Sequence, residues 1–176
     1  MKQINKVAVL GAGVMGATIA AHLANAGIQV LLLDIVPKDL NEAEKKAGLT
    51  LNDHAVRNRI VATGLEGLRK MKPAAFFIPA YASYIEAGNF DDDVKKLREC
   101  DWVIEVVVEK MEIKKRLFSE KVAPNLKEGA ILSTNTSGLS VNEMAESLPE
   151  AMRKNFLVTH FFNPPRYMRL LEVVPN

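Results

Sequence analysis

The sequence is poor in cysteine, histidine and aromatic residues, and neither charge sign dominates it. Cys100 is the sole cysteine, which excludes an internal disulfide and any cysteine-rich zinc site. No metal site is expected. Basic and acidic residues number 23 and 21, a net charge of +2, and nothing in that balance favours nucleic acid. No apolar run approaches the ~20 residues of a membrane helix, and residues 1–5 lack the features of a signal peptide. A soluble, cytoplasmic protein is expected. What is present is 176 residues, 48% apolar and 25% charged, which suits one domain with a packed core. Cys100 precedes the apolar run 102–108 and reads as a small buried residue.

Lys6–Leu10 is a short apolar run ending at Gly11 and predicts a buried strand. Met15, Ile19, Leu23 and Ala26 then recur at helical spacing over 14–26, and Gly27 is placed to end that helix in a left-handed turn. Residues 29–33 form a second apolar run closed by Asp34. Strand, glycine turn, helix and strand make one βαβ unit. Residues 37–90 are less regular: one or two helices are expected, broken by Pro73 and Pro79, then a short strand near 83–86. Further strands are predicted at 102–108, 130–133, 156–159 and 170–174. Between them, one helix should present Ile113, Leu117, Phe118 and Val122 on one face, and Ser140 with Glu143 predicts a capping box before another. This alternation implies an α/β fold of the Rossmann type: a doubly wound, mainly parallel sheet with helices on both faces.

Gly11-Ala12-Gly13-Val14-Met15-Gly16 lies between the first strand and the first helix. Gly11 permits a tight turn, Gly13 lets backbone approach a pyrophosphate, and Gly16 lets helix and strand pack closely. The helix N-terminus then offers N–H groups and partial positive charge to phosphates. Asp34, 23 residues after Gly11, can accept both ribose hydroxyls of an adenosine and would repel a 2′-phosphate, so NAD is expected over NADP. The alternatives are a ligand-free glycine turn and a solvated strand-end charge.

Of the three histidines, His22 and His54 are expected at the surface. His160 follows a strand and opens His160-Phe161-Phe162-Asn163-Pro164-Pro165, with Glu172 twelve residues later in an apolar run. A carboxylate buried there needs a partner, and it could fix the tautomer of an imidazole and stabilise its protonated form. Histidine suits removal of a hydroxyl proton near neutral pH. A histidine satisfied by a loop carbonyl is the competing possibility. The polar loop 133–138 could hydrogen-bond a nicotinamide ribose or a substrate oxygen, or could be a plain turn leading to Ser140.

With these residues in view, the chain resembles the 3-hydroxyacyl-CoA dehydrogenase family over nearly its whole length. The resemblance rests on the block 11–16, on 101–109 (Asp-Trp-Val-Ile-Glu-Val-Val-Val-Glu), on Asn135-Thr136-Ser137, and on 160–174. It is strongest with bacterial β-oxidation proteins that fuse this dehydrogenase to an enoyl-CoA hydratase. It implies NAD as cofactor, an acyl-CoA substrate, His160 as catalytic acid/base and Glu172 as its orienting partner. It also implies that Ser137 contacts the substrate's 3-oxygen, that Glu109 and Lys114 lie near the cofactor ribose and nicotinamide, and that Asn163 lies on the nicotinamide side. Without the family, Glu109 and Lys114 read as a solvated charge pair at a helix start.

Thr134 stands where the family commonly has serine, and Val158 where it often has glycine; neither touches the implied chemistry. Residues 49–89 are longer than in the short single-function enzymes and bear on CoA binding. The family carries a helical second domain beyond this point, which closes the cleft and forms a homo-oligomer interface. Residues 1–176 are therefore read as the NAD-binding domain alone, with little turnover expected of it in isolation. A different NAD-dependent hydroxyacid dehydrogenase shares the fold, and a non-enzymatic, crystallin-like role is the other rival. The spacing of His160 and Glu172 speaks against the first, and retention of Asp34, Ser137, His160 and Glu172 against the second.

Overall fold

The computed structural model describes residues 3–176. Seven strands form one sheet: β1 (Lys6–Leu10), β2 (Gln29–Asp34), β3 (Ile85–Asn89), β4 (Trp102–Glu105), β5 (Ile131–Thr134), β6 (Phe156–Phe161) and β7 (Leu171–Pro175). Their order is β3-β2-β1-β4-β5-β6-β7, with β7 antiparallel to β6 and every other pairing parallel. Period-two alternation explains why the central strands are apolar throughout. Val7, Val9, Val30 and Leu32 enter one core, while Ala8, Leu10, Leu31 and Leu33 enter the other.

Helix α1 (Val14–Asn25) covers the first face, and it is itself covered by α4 (Arg59–Lys70), which sends Val61 and Leu68 into the same core. Helices α5 (Met111–Leu117) and α6 (Val141–Ala145) cover the other face through Leu117, Met144 and Ala145. Shorter helices α2 (Glu42–Lys46), α3 (His54–Arg57) and α7 (Glu150–Arg153) complete the chain. Gly27 has φ +79°, the left-handed turn expected there, and Cys100 is fully buried. No helix among the described residues is long and apolar enough to cross a membrane.

Several boundaries differ from those predicted, each for a local reason. β4 ends at Glu105 rather than at 108, because the Glu105 carboxylate accepts the Val107 N–H at 2.7 Å and bends the chain out of the ladder. Val108 is left exposed. The helix after it widens into a π turn over Phe118–Val122; Leu117, Phe118 and Val122 are buried, whereas Ile113 is exposed. β3 starts at Ile85, after a 3-10 turn begun by Pro79. Three helices, not one or two, occupy 37–90. A full capping box forms at Asn41 and Glu44, whereas at Ser140 only the hydroxyl-to-Glu143 half is present, at 3.3 Å.

Two burial expectations are corrected. His22 is half-buried rather than at the surface, its ring set edge-on to Phe161 of β6 with 6.4 Å between ring centres. Its Nδ1 is buried without a partner and burial lowers its pKa. His54 is exposed as expected. Glu172 is not in a buried strand: β7 is a sheet edge, with Leu171, Val173 and Val174 between 38% and 58% exposed.

Candidate active site

Every parallel strand of this sheet ends at the same edge, and that edge gathers the expected residues. Gly11 follows β1, and a Cβ there would stand 2.6 Å from the Val106 oxygen that follows β4; its φ of +112° is also closed to other residues. A Cβ at Gly16 would stand 1.8 Å from the Gly11 oxygen. Gly13 is different, since a Cβ there meets nothing within 4 Å. The first two glycines therefore serve chain packing, while Gly13 keeps open the space in front of the α1 N-terminus. No side chain caps that N-terminus and no acidic residue stands in its first turn. Val14 is 65% exposed beside it. An uncapped helix start with open space before it fits a pyrophosphate.

Asp34 ends β2 beside this turn. Its Oδ2 accepts the Ala12 N–H at 2.6 Å and its Oδ1 the Ile35 N–H at 2.7 Å. It also lines two clefts that meet at Gly13. One, of roughly 590 Å³, has walls from Ile35, Val36, Phe90, Val107 and Ile113 and suits a flat apolar ring with polar groups at its mouth. The other, of roughly 520 Å³, lies between α1 and α4 and is edged by Arg59 and Thr63. Phe90 and Ile113 lacked a sequence signal, since nothing local marks a residue as a cleft wall.

At the carboxyl end of β6 the structure pairs His160 with Glu172 of β7. The two are directly opposed in the ladder, and Nδ1 lies 2.9 Å from Oε2. A carboxylate only accepts, so Nδ1 carries the proton and Nε2 is left to exchange one. Phe162 lies against the imidazole at 4.7 Å between ring centres. β6 is two residues longer than predicted, so His160 stands within the strand rather than after it. That extension is held by pairing with β7, and Asn135 Oδ1 also accepts the Phe161 N–H at 2.8 Å.

Ser137 is exposed in the loop after β5, and its N–H donates to Glu109 at 3.2 Å. Thr136 also donates its hydroxyl to Glu109. Partial burial pushes the Glu109 carboxyl up, but Thr136, Lys114 and Ser137 outweigh it and its pKa lies below the ordinary value. Asn163 is exposed two residues past β6. The Lys114 side chain is 1% exposed and faces Glu105 and Glu109. The solvated-pair alternative is overturned. Glu105, fully buried, carried no functional expectation. Burial pushes its carboxyl pKa up, with Lys114 pulling against it. Thr134, a departure from the family pattern, keeps a hydroxyl and donates it to Glu105 at 2.5 Å.

These features agree with comparison to known proteins. The chain is 54% identical over 174 residues to a probable 3-hydroxyacyl-CoA dehydrogenase of Bacillus subtilis, covering 99% of this chain and 22% of that protein. It is 47% identical over 174 residues to a probable 3-hydroxyacyl-CoA dehydrogenase of Deinococcus radiodurans, covering 99% and 46%. The chain thus spans under half the length of either relative. Its fold superposes on the crystal structure of (S)-3-hydroxybutyryl-CoA dehydrogenase from Ralstonia eutropha with a TM-score of 0.71 at 26% identity, covering 97% of this chain and 54% of that one. A model of the family described as 3-hydroxyacyl-CoA dehydrogenase, NAD binding domain, matches residues 6–176. The chain therefore belongs to the NAD-binding domain family of the 3-hydroxyacyl-CoA dehydrogenases.

Proposed function

We propose that residues 1–176 form the NAD-binding domain of an enzyme that reversibly oxidises an (S)-3-hydroxyacyl-CoA to the 3-ketoacyl-CoA, a step of fatty-acid β-oxidation. The observation that carries this is the His160–Glu172 pair, 2.9 Å apart, at the same sheet edge as the glycine turn. Bound NAD supplies the hydride acceptor. Gly11 to Gly16 receive the pyrophosphate and Asp34 the adenosine ribose, with its charge set against a 2′-phosphate.

Neutral His160 takes the substrate hydroxyl proton on Nε2 as the C3 hydrogen leaves as hydride. Glu172 stabilises the imidazolium that forms. In the reverse direction His160 returns the proton to the 3-oxygen. Ser137 stands where it can hold that oxygen, and Glu109 and Asn163 border the nicotinamide side. Leu171, Val173 and Val174 leave β7 with an exposed apolar surface, which suits coverage by a second, substrate-binding domain in a longer chain. A fused enoyl-CoA hydratase and a homo-oligomeric assembly complete the proposal.

The test follows NADH absorbance while acetoacetyl-CoA is added to the full-length protein, with His160→Ala beside it. NADH oxidation by the parent and its loss in the variant support the assignment. A parent that binds NADH yet oxidises none with this substrate removes it.

A further inference from the structure

Glu105 and Lys114 form an ion pair whose side chains are 0% and 1% exposed. Removing two charges from water costs more than their attraction generally returns, and apolar residues of equal volume often serve a core as well. Packing alone does not account for this pair. Its hydrogen bonds lead out of the core. Lys114 Nζ donates to both Glu105 oxygens, at 2.6 and 2.8 Å, and lies 3.2 Å from Glu109 Oε2. Glu109 Oε1 accepts from the Thr136 hydroxyl and the Ser137 N–H. The Glu105 carbonyl accepts the Asn135 N–H at 2.8 Å, and its carboxylate also accepts from Thr134 and Val107. The Glu105 backbone thus holds the start of the loop 135–137, and its side chain reaches the other end through Lys114 and Glu109.

We infer that Glu105 is a positioning residue. Acting through Lys114 and Glu109, it sets the place of Ser137 relative to His160, while touching neither substrate nor cofactor itself. The inference rests on the proposed function only for what the loop does; the relay itself is independent of it.

The test compares the full-length parent with Glu105→Gln, with Lys114→Met, and with the double variant Glu105→Leu/Lys114→Met. Each single variant strands a buried polar group and lowers Tm. The double variant removes both charges and recovers part of the lost Tm, with the Thr134 hydroxyl and the Val107 N–H still short of their acceptor. If Glu105 positions the loop, the double variant still loses ~10- to 100-fold in kcat, and the Ser137 amide exchanges with deuterium ~10-fold faster or more. A double variant with parental kcat and parental Ser137 exchange would show that the pair is structural only. Should the double variant fail to fold, Glu109→Gln, whose side chain is 44% exposed, breaks the relay without stranding a buried charge. Faster Ser137 exchange there supports the relay, and parental exchange overturns it. Exchange needs no substrate, so a parent inactive on acetoacetyl-CoA sinks the proposed function while the exchange data still decide this inference.

Discussion

His160 and Glu172 are opposed residues of an antiparallel strand pair, and the imidazole Nδ1 lies 2.9 Å from the carboxylate. Twelve positions separate them in sequence, and the turn through Pro164 and Pro165 brings the chain back in register. Cross-strand neighbours of this kind are held by backbone bonds on either side, so the pair is oriented before any ligand arrives.

The first prediction concerns that pair. His160→Ala lowers turnover by ~100-fold or more, since general acid–base catalysis contributes at least that much, and leaves NADH affinity unchanged. Glu172→Gln keeps the shape but not the charge that stabilises an imidazolium, and lowers turnover by about 10-fold or more. Fluorescence titration with NADH and steady-state rates check both. Parental rates for Glu172→Gln would remove its proposed role.

The glycine turn gives a contrast between two single-methyl changes. Gly16→Ala places a Cβ 1.8 Å from the Gly11 oxygen, so the turn must shift and Tm must fall; overpacking of this kind costs about 1–3 kcal/mol or more. Gly13→Ala meets nothing within 4 Å and leaves Tm near the parental value. It fills the space proposed for the pyrophosphate and weakens NADH binding by ~10-fold or more. Equal effects on Tm from both variants would contradict the division of labour.

Asp34 supplies a test of cofactor choice. Its carboxylate borders the cleft proposed for the adenosine and also holds the Ala12 amide. Asp34→Asn retains an acceptor for the loop but loses the charge that repels a 2′-phosphate. The ratio of NADPH to NADH affinity rises by ~10-fold or more. Calorimetric titration of both nucleotides reads the change, and an unaltered ratio removes Asp34 from cofactor discrimination.

Two aspartates contribute to the acid limit of stability. The Lys127 ammonium, with the Asn5 amide, holds the Asp101 carboxyl at about 2 rather than the usual 3.8. The Arg57 guanidinium, with Asn89, holds Asp92 at about 2 as well. Both pKa values are depressed on folding. Their stabilisation is therefore complete above the unfolded value near 4 and is lost as pH falls towards 2. Tm measured across that window should drop steeply, and Asp101→Asn should lower Tm at neutral pH while flattening the drop. An unchanged slope in the variant would assign acid sensitivity to other groups.

The strands with strict apolar character were readable because a buried parallel strand has no polar face. The glycine turn was readable because close approach of β1 and α1 tolerates no Cβ. Boundaries were not. β4 stops at Glu105 because its side chain takes the Val107 N–H, and β6 runs on to Phe161 because β7, coming later in the chain, pairs with it there. His22 looked exposed in a one-dimensional pattern, since its neighbour Phe161 lies 139 residues on and nothing in 14–26 announces it.

By itself the sequence determined the doubly wound sheet and the glycine turn, and marked His160 and Glu172 as a candidate pair, because these depend on local periodicity, missing Cβ atoms and a short motif. Only the tertiary structure decided that Lys114 is enclosed, that Glu105 is fully buried beneath the polar loop, and that Glu172 lies on an exposed edge. Those outcomes depend on which strands and helices meet, and burial and charge pairing across distant segments leave no trace in the spacing of either segment alone.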